Sequence, residues 1–145
     1  MSWLVLILRI VLGAIFIVAG GSKIGHADVF AAQIAGFRLL APAVIAPIAI
    51  ALPFLEILLG IYLILGLFTR TAAWAAVILL GIFDLAIASA VVRGMTVSCG
   101  CFGPADASVT TWPEVARDAI FVILAAVVAL RAPGMLALDR RIRNA

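Results

Sequence analysis

The sequence predicts an all-α integral membrane protein, a four-helix bundle with short loops and an interfacial helix between its first two spans. Three observations predict it. Of 145 residues, 67% are hydrophobic and 12% charged, whereas a soluble domain is about half apolar and a quarter charged. The apolar residues fall into four long runs, and a helix of roughly 20 apolar residues crosses the hydrocarbon core of a bilayer. The connections between runs are short and leave no room for a second soluble domain, so residues 1–145 read as one membrane domain.

The first span is expected over about residues 3–21, interrupted only by Arg9 and closed by Gly20 and Gly21. No Lys or Arg precedes its apolar core and no small-x-small cleavage site follows it, which favours a span over a signal peptide. Residues 22–42 form the longest connection. Phe30, Ile34, Phe37 and Ala41 recur there at helical spacing among Lys23, His26, Asp28, Gln33 and Arg38. That pattern predicts a short amphipathic helix lying in the bilayer interface. His26, the only histidine, reads as a solvated loop side chain rather than a ligand.

The second span is expected over about 43–68, with Pro47 and Pro53 near its start and Glu56 deep inside it. Each proline removes a backbone donor and so kinks the helix or sets its first turn. A turn at 67–71 leads into the third span, about 72–92, with Asp84 near its middle. The cysteine loop, 97–103, follows, and then a polar loop over 104–110 with Asp106 and Ser108. Thr111 and Glu114 have the spacing of a capping box, and Trp112 stands where interfacial tryptophans anchor a helix. The fourth span, about 113–130, opens on Glu114, Arg117 and Asp118, and a basic tail occupies 131–145.

Arg9, Glu56, Asp84 and Arg117 are the polar residues set within apolar runs. An unpaired charge at such depth costs several kcal/mol, so each is expected to face the bundle interior and find a partner. Their depths suggest the pairs Arg9–Glu56 and Asp84–Arg117. Such pairs either hold helices together or handle protons for nearby redox chemistry.

Four spans put both termini on one side. That side carries five basic residues, Arg70, Arg131, Arg140, Arg141 and Arg143, against Lys23, Arg38 and Arg93 on the other. The positive-inside rule therefore places the termini in the cytoplasm and the cysteine loop outside the inner (plasma) membrane. The arginine run reads as a membrane anchor, and no nucleic-acid partner is expected.

The chemistry is concentrated in Cys99-Gly100-Cys101-Phe102-Gly103, which holds both cysteines. A disulfide needs Cα atoms about 4.4–6.8 Å apart, and residues two apart reach that only through a local turn, which Gly100 can supply. So small a ring is strained, and strained disulfides are the oxidising, labile ones. Closing so short a loop removes little unfolded-state entropy, which makes a purely stabilising staple an inefficient use of the pair. The extracytoplasmic side is also the oxidising one. Cys99 and Cys101 are the candidate catalytic residues of a thiol–disulfide oxidoreductase, and the residues themselves do not identify which sulfur attacks. Two thiolates and a distant histidine fall short of a closed zinc site, so no metal is expected.

Arg9-x-x-x-Gly13, Gly20-Gly21-Ser22-Lys23, Leu52-Pro53-Phe54-Leu55-Glu56 and Cys99-Gly100-Cys101-Phe102-Gly103 together resemble the MauE branch of the DoxX-like membrane proteins, over essentially the whole chain. The resemblance implies a four-helix membrane protein with a redox-associated accessory role, Cys99 and Cys101 matching the family's cysteine motif and Arg9 and Glu56 its intramembrane polar positions. The family's namesake assists maturation of a periplasmic, disulfide-rich methylamine dehydrogenase subunit. A looser likeness to quinone-reducing thiol oxidases suggests a quinone as electron acceptor, although those proteins relay electrons between two cysteine pairs and this chain has one. The leading expectation is disulfide exchange with an extracytoplasmic, thioredoxin-like or disulfide-containing partner. The alternative is a non-enzymatic accessory or assembly subunit of a larger membrane complex, with a structural disulfide.

Overall fold

α1 (Ser2–Lys23), α2 (Ala27–Gly36), α3 (Pro42–Leu65), α4 (Thr69–Val92) and α5 (Trp112–Arg131) follow one another in the computed structural model, which describes residues 2–103, 108–132, 136–138 and 142. Asp106 of the expected polar loop, and Arg140, Arg141 and Arg143 of the expected basic tail, lie outside the described residues. α1, α3 and α4 are long and apolar enough to cross a membrane. α5 has 20 residues, about 30 Å at 1.5 Å per residue, but Glu114, Arg117 and Asp118 occupy its first two turns. Among the described residues the protein is thus all-helical with three candidate spans, and the only β-type pairing there is a single antiparallel bridge between Ser98 and Val109.

α1 runs against α3 through small residues. A Cβ added to Gly13 would lie 2.7 Å from the Gly60 carbonyl oxygen, and one added to Gly20 would lie 2.6 Å from that of Pro53. Such close approach is how helices associate in lipid, where apolar area alone gives no preference for a neighbour over acyl chains. The core continues through Leu12 and Phe16 of α1, Leu59 and Leu63 of α3, the Ala72, Ala73 and Ala76 face of α4, and Ala125, Val128 and Ala129 of α5. The outward faces are equally apolar, with Ile7, Val18, Phe54, Ile78, Leu85 and Ile123 exposed. A helix apolar all round belongs in a bilayer.

Pro42 occupies the first turn of α3, where a missing N–H is harmless, while Pro47 and Pro53 lie inside the helix, which continues through both. α3 stops three residues before the expected limit. Gly66 takes a left-handed conformation (φ 70°) and its N–H returns to the Tyr62 carbonyl, the C-terminal device that glycine favours. Phe68 follows in the left-handed region as the N-cap of α4, so Thr69, Arg70 and Thr71 form the first turn of that helix. The helix expected in the 22–42 connection is α2, with Phe30 buried and exposed His26 at its N-cap.

Candidate functional site

Cys99 and Cys101 form a disulfide with Cα atoms 5.4 Å apart. The turn between them is made at Gly100 (φ 66°) and continued at Gly103 (φ 88°), conformations glycine reaches without Cβ strain. Two backbone bonds fasten the loop to its return: Cys99 N–H donates to Ser108 O at 3.0 Å and Thr110 N–H to Val97 O at 2.9 Å. The loop also lies tight on earlier helices. A Cβ on Gly100 would come 2.6 Å from Gln33 Oε1 of α2, and one on Gly103 would come 2.8 Å from the Ser22 carbonyl oxygen of α1. Gln33 Nε2 donates to Ser98 Oγ at 3.3 Å.

The two sulfurs have different surroundings. Cys99 is only 2% exposed and packs with Phe37, Ile87 and Ala90, while Cys101 is half-buried. Arg117 Nη2 lies 3.9 Å from Cys99 Sγ, and Asp118 Oδ2 lies 3.5 Å from Cys101 Sγ. Arg117 Nε donates to Asp118 Oδ1 at 3.0 Å, and the guanidinium sits 5.7 Å from the centre of the Phe102 ring. The first two turns of α5 thus lay a cation against one sulfur and a carboxylate against the other.

A small cavity of about 50 Å³ opens beside the disulfide, with Cys101, Phe102, Asp118, Lys23, Glu56 and Phe83 among its lining residues. Lys23 Nζ reaches both Glu56 oxygens, at 2.8 and 2.9 Å, with only 1% of its side chain exposed. Its ammonium also lies 5.1 Å from the Phe30 ring centre and 5.9 Å from that of Phe83, a cation–π setting. A larger apolar cleft of about 570 Å³ lies between α2, α3 and α4, with Cys99, Phe37 and Ile82 among its walls.

These contacts replace the pairs that depth suggested. Glu56 is held by Lys23 rather than by Arg9. Arg9, fully buried, donates through Nε to Leu63 O at 2.8 Å and through Nη2 to Ile64 O at 3.2 Å. It therefore covers the last-turn carbonyls of α3, which lack partners within the helix. Arg117 turns to Asp118 and the disulfide, while Asp84 Oδ1 is buried with no hydrogen-bond partner among the described residues. Cys99, Cys101 and Arg117 meet at one place, Glu56 shares the small cavity with Cys101, and Arg9 belongs to the opposite end of α1. Asp118 and Lys23 are site residues that the sequence reading passed over. The signals for them were Lys23's position, as the chain's only lysine, at the foot of an apolar helix, and Asp118's adjacency to Arg117.

At the capping box, Thr111 is the N-cap of α5, as its spacing predicts. Its hydroxyl hydrogen-bonds the Glu114 carboxylate rather than a backbone N–H.

Fold and site together define a helical membrane protein whose cysteine loop is bonded shut and folded back over buried charge. The chain belongs to the MauE family: the family model described as methylamine utilisation protein MauE matches residues 1–131. It is similar to the methylamine utilization protein MauE of Paracoccus denitrificans, 33% identical over 127 residues, covering 87% of this chain and 68% of that protein. The Paracoccus versutus protein of the same name is 36% identical over 119 residues, covering 81% and 64%, and the Methylorubrum extorquens one is 32% identical over 98 residues, covering 67% and 53%. The chain thus spans between about half and two thirds of the length of these relatives. No solved structure matches.

Proposed function

We propose that this protein is a membrane-embedded thiol–disulfide exchange protein. Its Cys99–Cys101 bond accepts electrons from, or returns them to, an extracytoplasmic protein of thioredoxin-like or disulfide-containing type, in disulfide formation or maturation. The relatives' name gives methylamine utilization as the proposed setting. One observation carries this reading: the bond sits between a guanidinium and a carboxylate with Cys101 only half-buried, whereas an inert staple needs neither charge nor access. We extend the bundle to four spans by including α5, whose charged first turns then lie at the outer surface and whose stretch 119–130 enters the bilayer.

Electrons taken from a partner need an acceptor, and a membrane quinone suits the chemistry. The cleft beside Cys99 is apolar and of the volume that takes a ring with part of a prenyl tail. Titration of the full-length protein against thiol buffers of known potential tests the exchange. Reversible reduction above the range of structural disulfides, which lie below about −300 mV, supports it. A pair that stays oxidised under strongly reducing conditions overturns it. The burial of Cys99 favours one second reading, an accessory subunit with a structural bond. That reading expects a stoichiometric partner on purification and full function in the Cys99→Ser, Cys101→Ser double variant.

A further inference from the structure

We infer that the two sulfurs have fixed roles: Cys101 receives the incoming thiolate and carries the mixed disulfide, and Cys99 is the leaving and resolving sulfur, held as a thiolate by Arg117. The assignment rests on the exchange function proposed above. Access and charge point the same way independently. Cys99 is almost wholly enclosed, by Phe37, Ile87 and Ala90, whereas Cys101 is half-buried, so a protein thiol reaches Cys101 first. The sulfur that leaves must carry negative charge, and a sulfur with a lower thiol pKa leaves faster. Cys99 is the one beside a guanidinium, at 3.9 Å, the arrangement that favours a thiolate. Cys101 faces Asp118 Oδ2 at 3.5 Å, which disfavours a second negative charge and accepts a hydrogen bond once that sulfur carries a proton.

The remaining charged groups around the site do not reverse this. Lys23 and Glu56, which line the small cavity with Cys101, neutralise each other. The remaining carboxylate near this site, Asp84 of α4, interacts with Asp118. Arg117 and Asp118 are therefore positioning residues, acting on the sulfurs and not on the partner.

The step balances without a further reagent. The partner's thiolate attacks Cys101 Sγ, the Cys99–Cys101 bond breaks, and Cys99 departs as a thiolate. The partner's second thiol then attacks its own sulfur in the mixed disulfide. The partner is left oxidised by two electrons and the Cys99, Cys101 pair reduced by two. Of the two protons lost by the partner dithiol, one ends on Cys101 against Asp118 and the other goes to solvent. The reverse sequence runs through the same mixed disulfide.

Two measurements on the full-length protein in lipid nanodiscs test the assignment. In the first, wild-type protein is treated with excess reduced glutathione and quenched in acid, and the mixed disulfide is located by mass spectrometry. It is expected on Cys101. In the second, the thiols of Cys101→Ser and Cys99→Ser are titrated by ultraviolet thiolate absorbance. Cys99 is expected to titrate at least about one pH unit below Cys101, with Arg117→Gln removing most of that gap and Arg117→Lys restoring part of it. A glutathione adduct on Cys99, equal or reversed midpoints, or midpoints indifferent to Arg117 overturns the role assignment while leaving the exchange function standing. A wild-type pair that glutathione and stronger dithiols all fail to reduce overturns both.

Discussion

Lys23 and Glu56 meet in surroundings that are otherwise aromatic and aliphatic, with Phe30, Phe83 and Phe16 close by. A buried pair of this kind adds little net stability, but losing one member leaves an uncompensated charge, which costs about 3–5 kcal/mol. Lys23→Met or Glu56→Leu alone is therefore expected to lower unfolding stability in detergent by about that amount. The Lys23→Met, Glu56→Leu double variant should recover most of the loss. A double variant as unstable as the worse single one would mean that the pair contributes more than mutual compensation. Arg9 works differently, because among the described residues its hydrogen-bond partners include the Leu63 and Ile64 carbonyl oxygens. Arg9→Met takes the donor from one buried and one part-buried carbonyl at the end of α3, at a cost of about 1–3 kcal/mol. Arg9→Lys should recover only part of this, since an ammonium is a point charge without the guanidinium fork; thermal unfolding of the three proteins checks the order. The sequence made Arg9 and Glu56 conspicuous as charges in hydrocarbon, but partner choice depends on helix register, which their depth along the membrane does not reveal.

At the level of elements, that register is set where α1 and α3 touch. Gly13 lies against Gly60 and Gly20 against Pro53, so seven residues forward on α1 match seven back on α3. Arg9 then falls beside Ile64 rather than Glu56, and Lys23 is left to reach the carboxylate. Gly60→Val should force the two helices apart, since its Cβ would lie 2.6 Å from the Gly13 carbonyl oxygen. The expected result is a loss of at least about 1–3 kcal/mol, as for other overpacked contacts. Gly81→Ala, in the middle of α4 with nothing within 4 Å of the new methyl, should instead gain up to about 1 kcal/mol from helix propensity. Both are read as shifts in denaturation midpoint, and a gain at Gly60 would remove the contact from the account. The helices themselves were legible, because uninterrupted apolar runs, Pro42 and the amphipathic spacing of α2 are local signals. The α3–α4 turn was read too late, because Thr69, Arg70 and Thr71 are turn-forming types by composition. Gly66 supplied the actual stop through its backbone conformation.

For the whole molecule, the arrangement relative to the bilayer decides whether the disulfide can meet an exported protein. The proposed four-span arrangement would put the termini and the Gly66–Phe68 turn in the cytoplasm and the cysteine loop outside, the orientation expected from the basic residues. In intact, reduced cells a membrane-impermeant thiol reagent should label Cys101, and Cys99 much less because of its burial. Labelling that appears only after the inner face is exposed would reverse the orientation. The cysteine pair was legible because two thiols stand out in a chain so poor in reactive groups. Its differing neighbours were not, because Arg117 and Asp118 reach it only when α5 folds back along α4.

Gly103 and Gly100 carry a kinetic consequence. Gly103 brings the loop's backbone so close to the Ser22 carbonyl that a methyl group would not fit, and Gly100 packs against the Gln33 side chain, while two backbone hydrogen bonds, Cys99 N–H to Ser108 O and Thr110 N–H to Val97 O, brace the loop's other side. A ring clamped on both flanks has little room to drift when its sulfurs part, so the reduced form should keep nearly the same backbone, with the change confined to side-chain rotation. The reorganisation accompanying each electron-pair transfer is then small, and the sulfurs stay within reach of each other for reclosure. Amide hydrogen exchange at Cys99 and Thr110 should accordingly be nearly the same in the oxidised and reduced protein, whereas a loop that unlatches on reduction would exchange those two hydrogens far faster.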